Sequence, residues 1–339
     1  MNLALTLADR IFAMFALGAI GDALGAPLEM MTATEIAKQY GRLTTFVERG
    51  DHKFGPIAKG ETTDDTQLKL AIARSIVHML GIDLGDIARE HVAELPRTTR
   101  GWGGSTREAV KRLEAGAHWS VSGSAPCRTQ KKRGKGNGVA MKIDPVGAFC
   151  ALRGVDPLLS GEHRTEIKSL ALMTHNSAMG VASGLAQVVA IHHLLGNSIV
   201  LPQSFAERVT HAALIGERVF PAAVINDDDF LSERFQLLGG VTPETSNELL
   251  RSNFGNGGCY VYESLPVAYA LFLRKPHSIE ALYDAVAFGG DTDTVASIVG
   301  SLLGALNGSM LIPQALWSMI NRRQEIETTV AEFVQALTP

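Results

Sequence analysis

Cysteine is scarce in this chain: three in 339 residues, Cys127, Cys150 and Cys259. Their number is odd, their spacing is wide, and no two stand as CxxC. Neither a disulfide framework nor a thiolate zinc or thioredoxin-type site is expected. That usage fits a reducing compartment, so a cytoplasmic protein is the expectation. Basic excess is lacking too. The net charge of -4 leaves no footprint for nucleic acid, which selects clustered Lys and Arg on a strongly basic domain. Ile11 to Ile20 is apolar, but Asp9 and Arg10 precede it and Asp22 follows it. It is too short to span a bilayer and lacks a basic leader followed by a small-residue cleavage site. A core helix and no membrane partner are expected, with a secretory segment the lesser alternative. Aromatics make up only 6% of the chain, against an abundance of Ala, Leu and Gly, which suits helices packed closely through small side chains. Period-two alternation is nearly absent, and Leu43 to Glu48 is the best strand candidate. With no internal repeat and no long disordered linker, residues 1–339 read as one domain.

What the sequence has in quantity is helical spacing. Leu5 to Ile20, Gln67 to Leu80, Glu162 to Met173 and Asn176 to Leu195 carry it. So do Pro202 to Ile215, Tyr262 to Leu273, Ile279 to Ala287, Thr294 to Leu306 and Ser318 to Leu337. Ala178, Ala182 and Ala186 recur every four residues, a pattern that lets two helices approach closely. The expected fold class is all-α. Glycine clusters separate the helices at 21–25, 101–104, 134–138, 255–258 and 289–290. Several precede a helix, where backbone N–H groups can cradle phosphate. The same glycines can equally just make turns. The run Arg128 to Lys135 (RTQKKRGK) is the one strong charge run. It reads as a solvated loop, or as a basic flap over an anionic ligand or an acidic protein partner.

Chemistry concentrates in two acid-rich turns. One is Gly60-Glu61-Thr62-Thr63-Asp64-Asp65-Thr66; the other is Gly289-Gly290-Asp291-Thr292-Asp293-Thr294. Each stands at the start of an expected helix, where Asp and Thr cap free N–H groups and negative charge is favoured. Capping would explain one such cluster. It explains two less well, because a cap needs one acceptor and each cluster holds two carboxylates. Four carboxylates gathered in a core repel unless cations neutralise them. Hard divalent ions take carboxylate and hydroxyl oxygens, and no matching His or Cys set points to zinc. Glu29 follows Pro27 and is expected in a loop, where it could bind a metal, accept a proton or simply be exposed. Asp22 could cap or brace its turn. His175, in Thr174-His175-Asn176-Ser177, is by itself more simply structural. Gly136-Asn137-Gly138-Val139-Ala140-Met141 reads as a tight loop entering a helix.

Taken in order, GAIGDALGAPLE, GETTDDTQ, RGWGGST, GNGVAMK, THNSAMGVASGLA, CYVYESLPVAYALFL and FGGDTDTVASIVGSLLGA resemble the ADP-ribosylglycohydrolase family. They span Gly18 to Ala305, and the TDDT and GGDTDT pair is the specific part. The resemblance implies a compact helical domain with a central cleft holding two divalent ions, Mg2+ or Mn2+. It implies that Thr63, Asp64, Asp65, Asp291, Asp293 and Thr294 bind metal. Glu29 matches the family's mobile-loop glutamate, with Glu29 or Asp65 managing the proton. Asn137, Gly138 and Met141 match the loop lining the ADP-ribose cleft, with His175 beside it and Tyr260 near the substrate. Gly289 and Gly290 join the substrate-binding set, and Lys135 is a candidate diphosphate contact. The implied partner is ADP-ribose or an ADP-ribosylated protein, most simply at arginine, through an N- or O-glycosidic bond. An immunity protein that binds or reverses an ADP-ribosylating toxin is the alternative. A mainly binding member and a two-metal phosphoesterase are further rivals. The sequence departs from the family in a longer, more basic segment between Ser124 and Gly136, in Lys142 where many relatives carry Arg, and in Tyr262.

Overall fold

The computed structural model describes residues 6–98, 100–124, 134–220 and 229–338. Its early helices are α1 (Leu7–Gly25), α2 (Ala33–Tyr40), α3 (Asp64–Met79), α4 (Leu84–Glu94), α5 (Gly104–Glu114) and α6 (Trp119–Ser122). The middle of the chain adds α7 (Asp144–Leu152), α8 (Gly161–Thr174), α9 (Ala178–Leu195), α10 (Pro202–Glu217), α11 (Leu231–Gln236) and α12 (Asn247–Phe254). Then come α13 (Val261–Arg274), α14 (Glu280–Phe288), α15 (Thr292–Asn307), α16 (Gln314–Trp317) and α17 (Arg323–Leu337). Every helix expected from apolar spacing is present, with ends shifted by a few residues. The stretch Ser318 to Leu337 is the main boundary error: its helix begins only at Arg323. The expected strand at Leu43 to Glu48 is not formed, and the described residues contain only isolated bridges. Leu43 and Phe46 are buried as anchors of an irregular segment, and no neighbouring strand is there to pair with it.

The core is organised around α1 and α15, which run antiparallel in the most intimate packing of the fold. Glycine makes this possible. A Cβ on Gly21 would run into the carbonyl of Ala296, on Gly25 into Thr292, on Gly300 into Leu17, and on Gly304 into Ala13. The opposed residues step by about four along both helices, so one face of each helix is backbone laid against backbone. We expect Gly21→Ala to lower stability despite alanine's helix preference. Overpacking costs about 1–3 kcal/mol, against roughly 1 kcal/mol gained from propensity. A urea unfolding midpoint below wild type checks this. The Ala182 step of α9 does the same against Gly216 of α10.

Leu7–Leu28, Ala178–Leu195 and Thr292–Leu311 are long and apolar enough to cross a membrane, yet most of each is buried inside the protein. Helices apolar all round belong in the centre of a large core. Within that core lies a polar spine. Lys69 of α3 pairs with Asp144 of α7 at 2.6 Å, and both are buried. Lys69 also donates to Ser301 at 2.8 Å, Gln187 donates to Asp144 at 2.7 Å, and Tyr269 donates to Gln187 at 2.9 Å. The consequence for function lies at one end: the α1–α15 crossing brings the last turn of α1 beside the first turn of α15.

Candidate active site

Asp22, in the last turn of α1, is wholly buried. Its carboxylate accepts from the Thr63 N–H at 3.0 Å and the Thr63 hydroxyl at 2.9 Å. It also accepts from the Thr66 N–H at 3.1 Å and the Thr66 hydroxyl at 2.6 Å. Helix α3 is therefore capped from another helix, while the Thr63 side chain makes no capping bond of its own. The brace fixes Asp64 and Asp65 in the first turn of α3 against Asp291 and Asp293, at the N-cap and first turn of α15. The two acid-rich turns, remote in sequence, meet.

Glu29 joins them from a tight turn after Pro27. Its backbone (φ -48, ψ 131) leads into Met30 at φ 70, a left-handed conformation uncommon for a residue with a side chain. The Met31 N–H closes the turn on the Leu28 carbonyl at 2.9 Å, and the Met30 N–H bonds to the Gly290 carbonyl at 2.7 Å. Strain held in place by surrounding bonds is characteristic of functional turns. The Glu29 carboxylate lies 3.2 Å from Lys53 and 3.7 Å from the Nε2 of His52.

The electrostatics of this cluster are unfavourable as they stand. Burial pushes the carboxyls of Asp64, Asp65 and Asp293 well up. Neighbouring charge adds to it: Asp22, Asp291 and Glu29 act on Asp64, while Asp291, Glu29 and Asp65 act on Asp293. Glu29 is raised by burial and by Asp291, with Lys53 opposing. Asp65 is raised by burial, Asp22, Asp64 and Asp291, with Lys69 opposing. Its Oδ2 accepts from the Thr294 hydroxyl at 3.1 Å, while its Oδ1 is buried without a hydrogen-bond partner. Like charges packed out of water demand either protons or cations.

These groups form one end of a cleft of about 390 Å³. Of the residues expected in the site, it is lined by Glu29, Asp64, Asn137, Gly138, Met141, His175, Tyr260, Asp291, Asp293 and Thr294. Thr63 and Asp65 are buried beside it and do not line it. Gly289 and Gly290 do not line it either. The Gly290 N–H is spent on the Met31 carbonyl at 2.9 Å. A Cβ there would come within 2.6 Å of the Asn256 and Gly257 carbonyls. At φ 84 and 86 the pair serves close backbone approach, tying the Glu29 turn to α15. Asn137 donates to Asp291 at 2.7 Å, so the loop expected at the substrate also orients an acid. Tyr260 donates its hydroxyl to Asp229 at 2.7 Å, and burial with that bond pushes its phenol up. His175 is buried and its pKa is pushed down to about 3 by burial and Lys142, so the ring is neutral.

The cleft has further contributors. The N-terminus of α5 lines the cleft through Gly103, Gly104, Ser105 and Thr106. No side chain caps it, and a Cβ on Gly103 or Gly104 would meet open space. The glycine cluster before this helix was the available signal. Cys259 lines the cleft with its sulfur close to Glu29 and Asp291, and no sequence pattern announces it. The stretch 128–133 of the basic run lies outside the described residues. Lys135, at its end, lines the cleft.

The family model for ADP-ribosylglycohydrolase matches residues 3–339. The chain belongs to the ADP-ribosylglycohydrolase family. Among its relatives is the ADP-ribosyl-[dinitrogen reductase] glycohydrolase of Rhodospirillum rubrum. The two are 26% identical, over 94% of this chain and 92% of the relative. The ADP-ribosylhydrolase ARH3 of Mus musculus is 26% identical, over 87% of this chain and 83% of the relative. A solved structure, an ADP-ribosylglycohydrolase-related protein complex, superposes with a TM-score of 0.64 at 21% identity. It covers 98% of this chain and 99% of that one, and it shows the shared all-α fold.

Proposed function

We propose that the protein hydrolyses the bond between ADP-ribose and an ADP-ribosylated protein, with arginine the acceptor. The observation that carries this is the meeting of Asp64, Asp65, Asp291 and Asp293 with Glu29 at one end of a cleft open to ligand. The Rhodospirillum and mouse relatives are named as ADP-ribosyl hydrolases, which supports hydrolysis of an ADP-ribosyl bond.

The donor set fits two oxygen-liking divalent ions, Mg2+ or Mn2+. Asp64, Asp291, Asp293 and Thr294 face the cleft, and Asp65 keeps an orphaned buried oxygen. Thr63 has committed its hydroxyl hydrogen to Asp22, so it has only oxygen lone pairs left to offer. When bound, such ions supply Lewis acidity that favours negative charge on an attacking oxygen.

The protein's own groups divide the remaining work. Glu29 lines the cleft with its pKa raised, so it is the group we place against the attacking water as proton acceptor. Asp65, behind the lining, acts on charge rather than on substrate. Gly136 and Gly138 admit the His175 ring against their backbone, which places that ring beside the cleft. The open N-terminus of α5 and Lys135 are placed for the diphosphate, because backbone N–H groups and the helix dipole favour anions. Water attacks the anomeric carbon with oxocarbenium character as the bond from that carbon to the guanidine nitrogen breaks, as in other glycosyl hydrolyses. The guanidine leaves as a neutral base, and the proton taken by Glu29 passes to it.

Defined arginine-linked and serine-linked ADP-ribosyl peptides, followed by mass spectrometry, test this. We expect loss of ADP-ribose from the arginine-linked peptide with Mg2+ or Mn2+ present, and none with chelator. Release of phosphate, or two intact peptides, would sink the reading.

A further inference from the structure

Behind the cleft lies a buried cation that the reaction scheme above does not use. Lys142 is fully buried. Its Nζ donates to the Thr174 hydroxyl oxygen at 3.2 Å, and that same oxygen lies 2.9 Å from the Nδ1 of His175. The ring of His175 stands against the Gly136–Gly138 loop at the cleft. A Cβ on Gly138 would come within 2.8 Å of Cε1 and 3.1 Å of Nε2, and one on Gly136 within 3.6 Å of Nε2. The loop holds the ring in this orientation.

Counting hydrogens along this chain gives a definite answer. An ammonium has three hydrogens and no lone pair, so Lys142 can only donate. The Thr174 oxygen accepts that bond, and its own single hydrogen must go elsewhere. Two lone pairs would let this oxygen accept from an Nδ1–H as well, but its own hydrogen would then be stranded in the interior, because among the described residues the hydroxyl has no hydrogen-bond partner besides Lys142 and His175. That hydrogen therefore goes to Nδ1 of His175, which can accept it only when it carries no proton. A neutral imidazole then holds its one proton on Nε2. We propose that Lys142 is a positioning residue: through the Thr174 hydroxyl it locks His175 in the Nε2–H form, so that the cleft is offered a neutral hydrogen-bond donor. The ligand group this suits is an acceptor oxygen, a ribosyl hydroxyl or a diphosphate oxygen. A neutral donor can bind such an oxygen without adding a charge beside the carboxylate cluster.

The ligand part of this inference rests on the proposed hydrolase reading, whereas the tautomer part does not. The test therefore begins on the ligand-free protein. Long-range proton–nitrogen NMR at pH 6 separates protonated from unprotonated ring nitrogens. The His175 signals are assigned by their loss in His175→Gln. At that pH the buried lysine, with its pKa lowered to about 7, is protonated and His175 is neutral. We expect a protonated Nε2 and a bare Nδ1. In Lys142→Met and in Thr174→Val we expect a mixture of both tautomers. Lys142→Arg and Thr174→Ser, which keep the donor and the hydroxyl, should restore the single form. Thr174→Val guards against a Lys142→Met protein that fails to fold. Calorimetric affinity for ADP-ribose should fall about 10–100-fold in the two disrupting variants, by analogy with the loss when the partner that orients a metal-ligating histidine is removed. It should recover in the conservative ones. A wild-type His175 protonated on Nδ1, or unchanged tautomer and affinity in Thr174→Val, would overturn the proposal. If the tautomers behave as stated but no peptide is hydrolysed, the hydrolase reading fails and the lock stands.

Discussion

Asp293→Asn is expected to lower kcat by at least about 10³-fold while making the cation-free protein more stable. The two effects have one cause. Asp293 is buried among Asp291, Glu29 and Asp65, and its carboxyl is pushed well up by that company. Losing a carboxylate that holds a catalytic cation forfeits roughly 4 kcal/mol of transition-state stabilisation, which is about 10³ in rate. Without cations, the same carboxylate opposes folding. A carboxyl whose folded pKa lies above its unfolded value of ~4 binds its proton more tightly in the native state. Its contribution is fully present below pH ~4 and is lost as pH rises through the folded pKa. The chelated wild type should therefore lose stability as pH rises above ~4. The asparagine variant should lose less. Unfolding midpoints in chelator at several pH values, with kcat measured in Mg2+, check both halves. Faster loss of stability with pH in Asp293→Asn would contradict the account.

The second large effect concerns the spine beneath the site. Lys69→Met should destabilise the protein by about 3–5 kcal/mol. It leaves the Asp144 carboxylate buried with its cation gone, and breaking one half of a buried ion pair strands an uncompensated charge. Gln187 would still donate to Asp144, but one neutral donor does not replace an ammonium at 2.6 Å. The double variant Lys69→Met with Asp144→Leu should regain most of the loss, since replacing both partners with apolar groups is often close to neutral. Denaturant melts of the three proteins test this. A single variant as stable as wild type would show that the pair carries no weight. Lys69 also lowers the pKa of Asp65, so the spine and the acid cluster are electrostatically linked.

The sequence disclosed those parts of the structure that depend on local pattern. Apolar spacing marks α1, α3, α9, α13 and α15 because each buries a broad face or its whole circumference in the core. The acid-rich turns stand out because their residue types suit few local environments. Short polar helices such as α4, α5 and α12 do not stand out as apolar stretches, because each buries only a few side chains on one face. What stayed hidden is relational. Asp22 reads as an ordinary turn acid, and the four donors of Thr63 and Thr66 reach it only because α1 delivers it to the start of α3. Gly289 and Gly290 look like a phosphate cradle, whereas Gly289 must clear the backbone at Met31, Thr32 and Ala33, and Gly290 the carbonyls of Asn256 and Gly257. Leu43 and Phe46 mimic a strand because burial at two points needs no ladder. Cys259 and Lys142 acquire their roles only from neighbours distant along the chain.

Electron paramagnetic resonance of Mn2+ added to the metal-stripped protein reaches the core of this account. Free Mn2+ gives a sharp signal that bound ions lose. The account predicts two equivalents bound per chain, turnover of the arginine-linked peptide rising in step with occupancy, and loss of both in Asp293→Asn. Full turnover in chelator, with every added Mn2+ ion still free in solution, would contradict it.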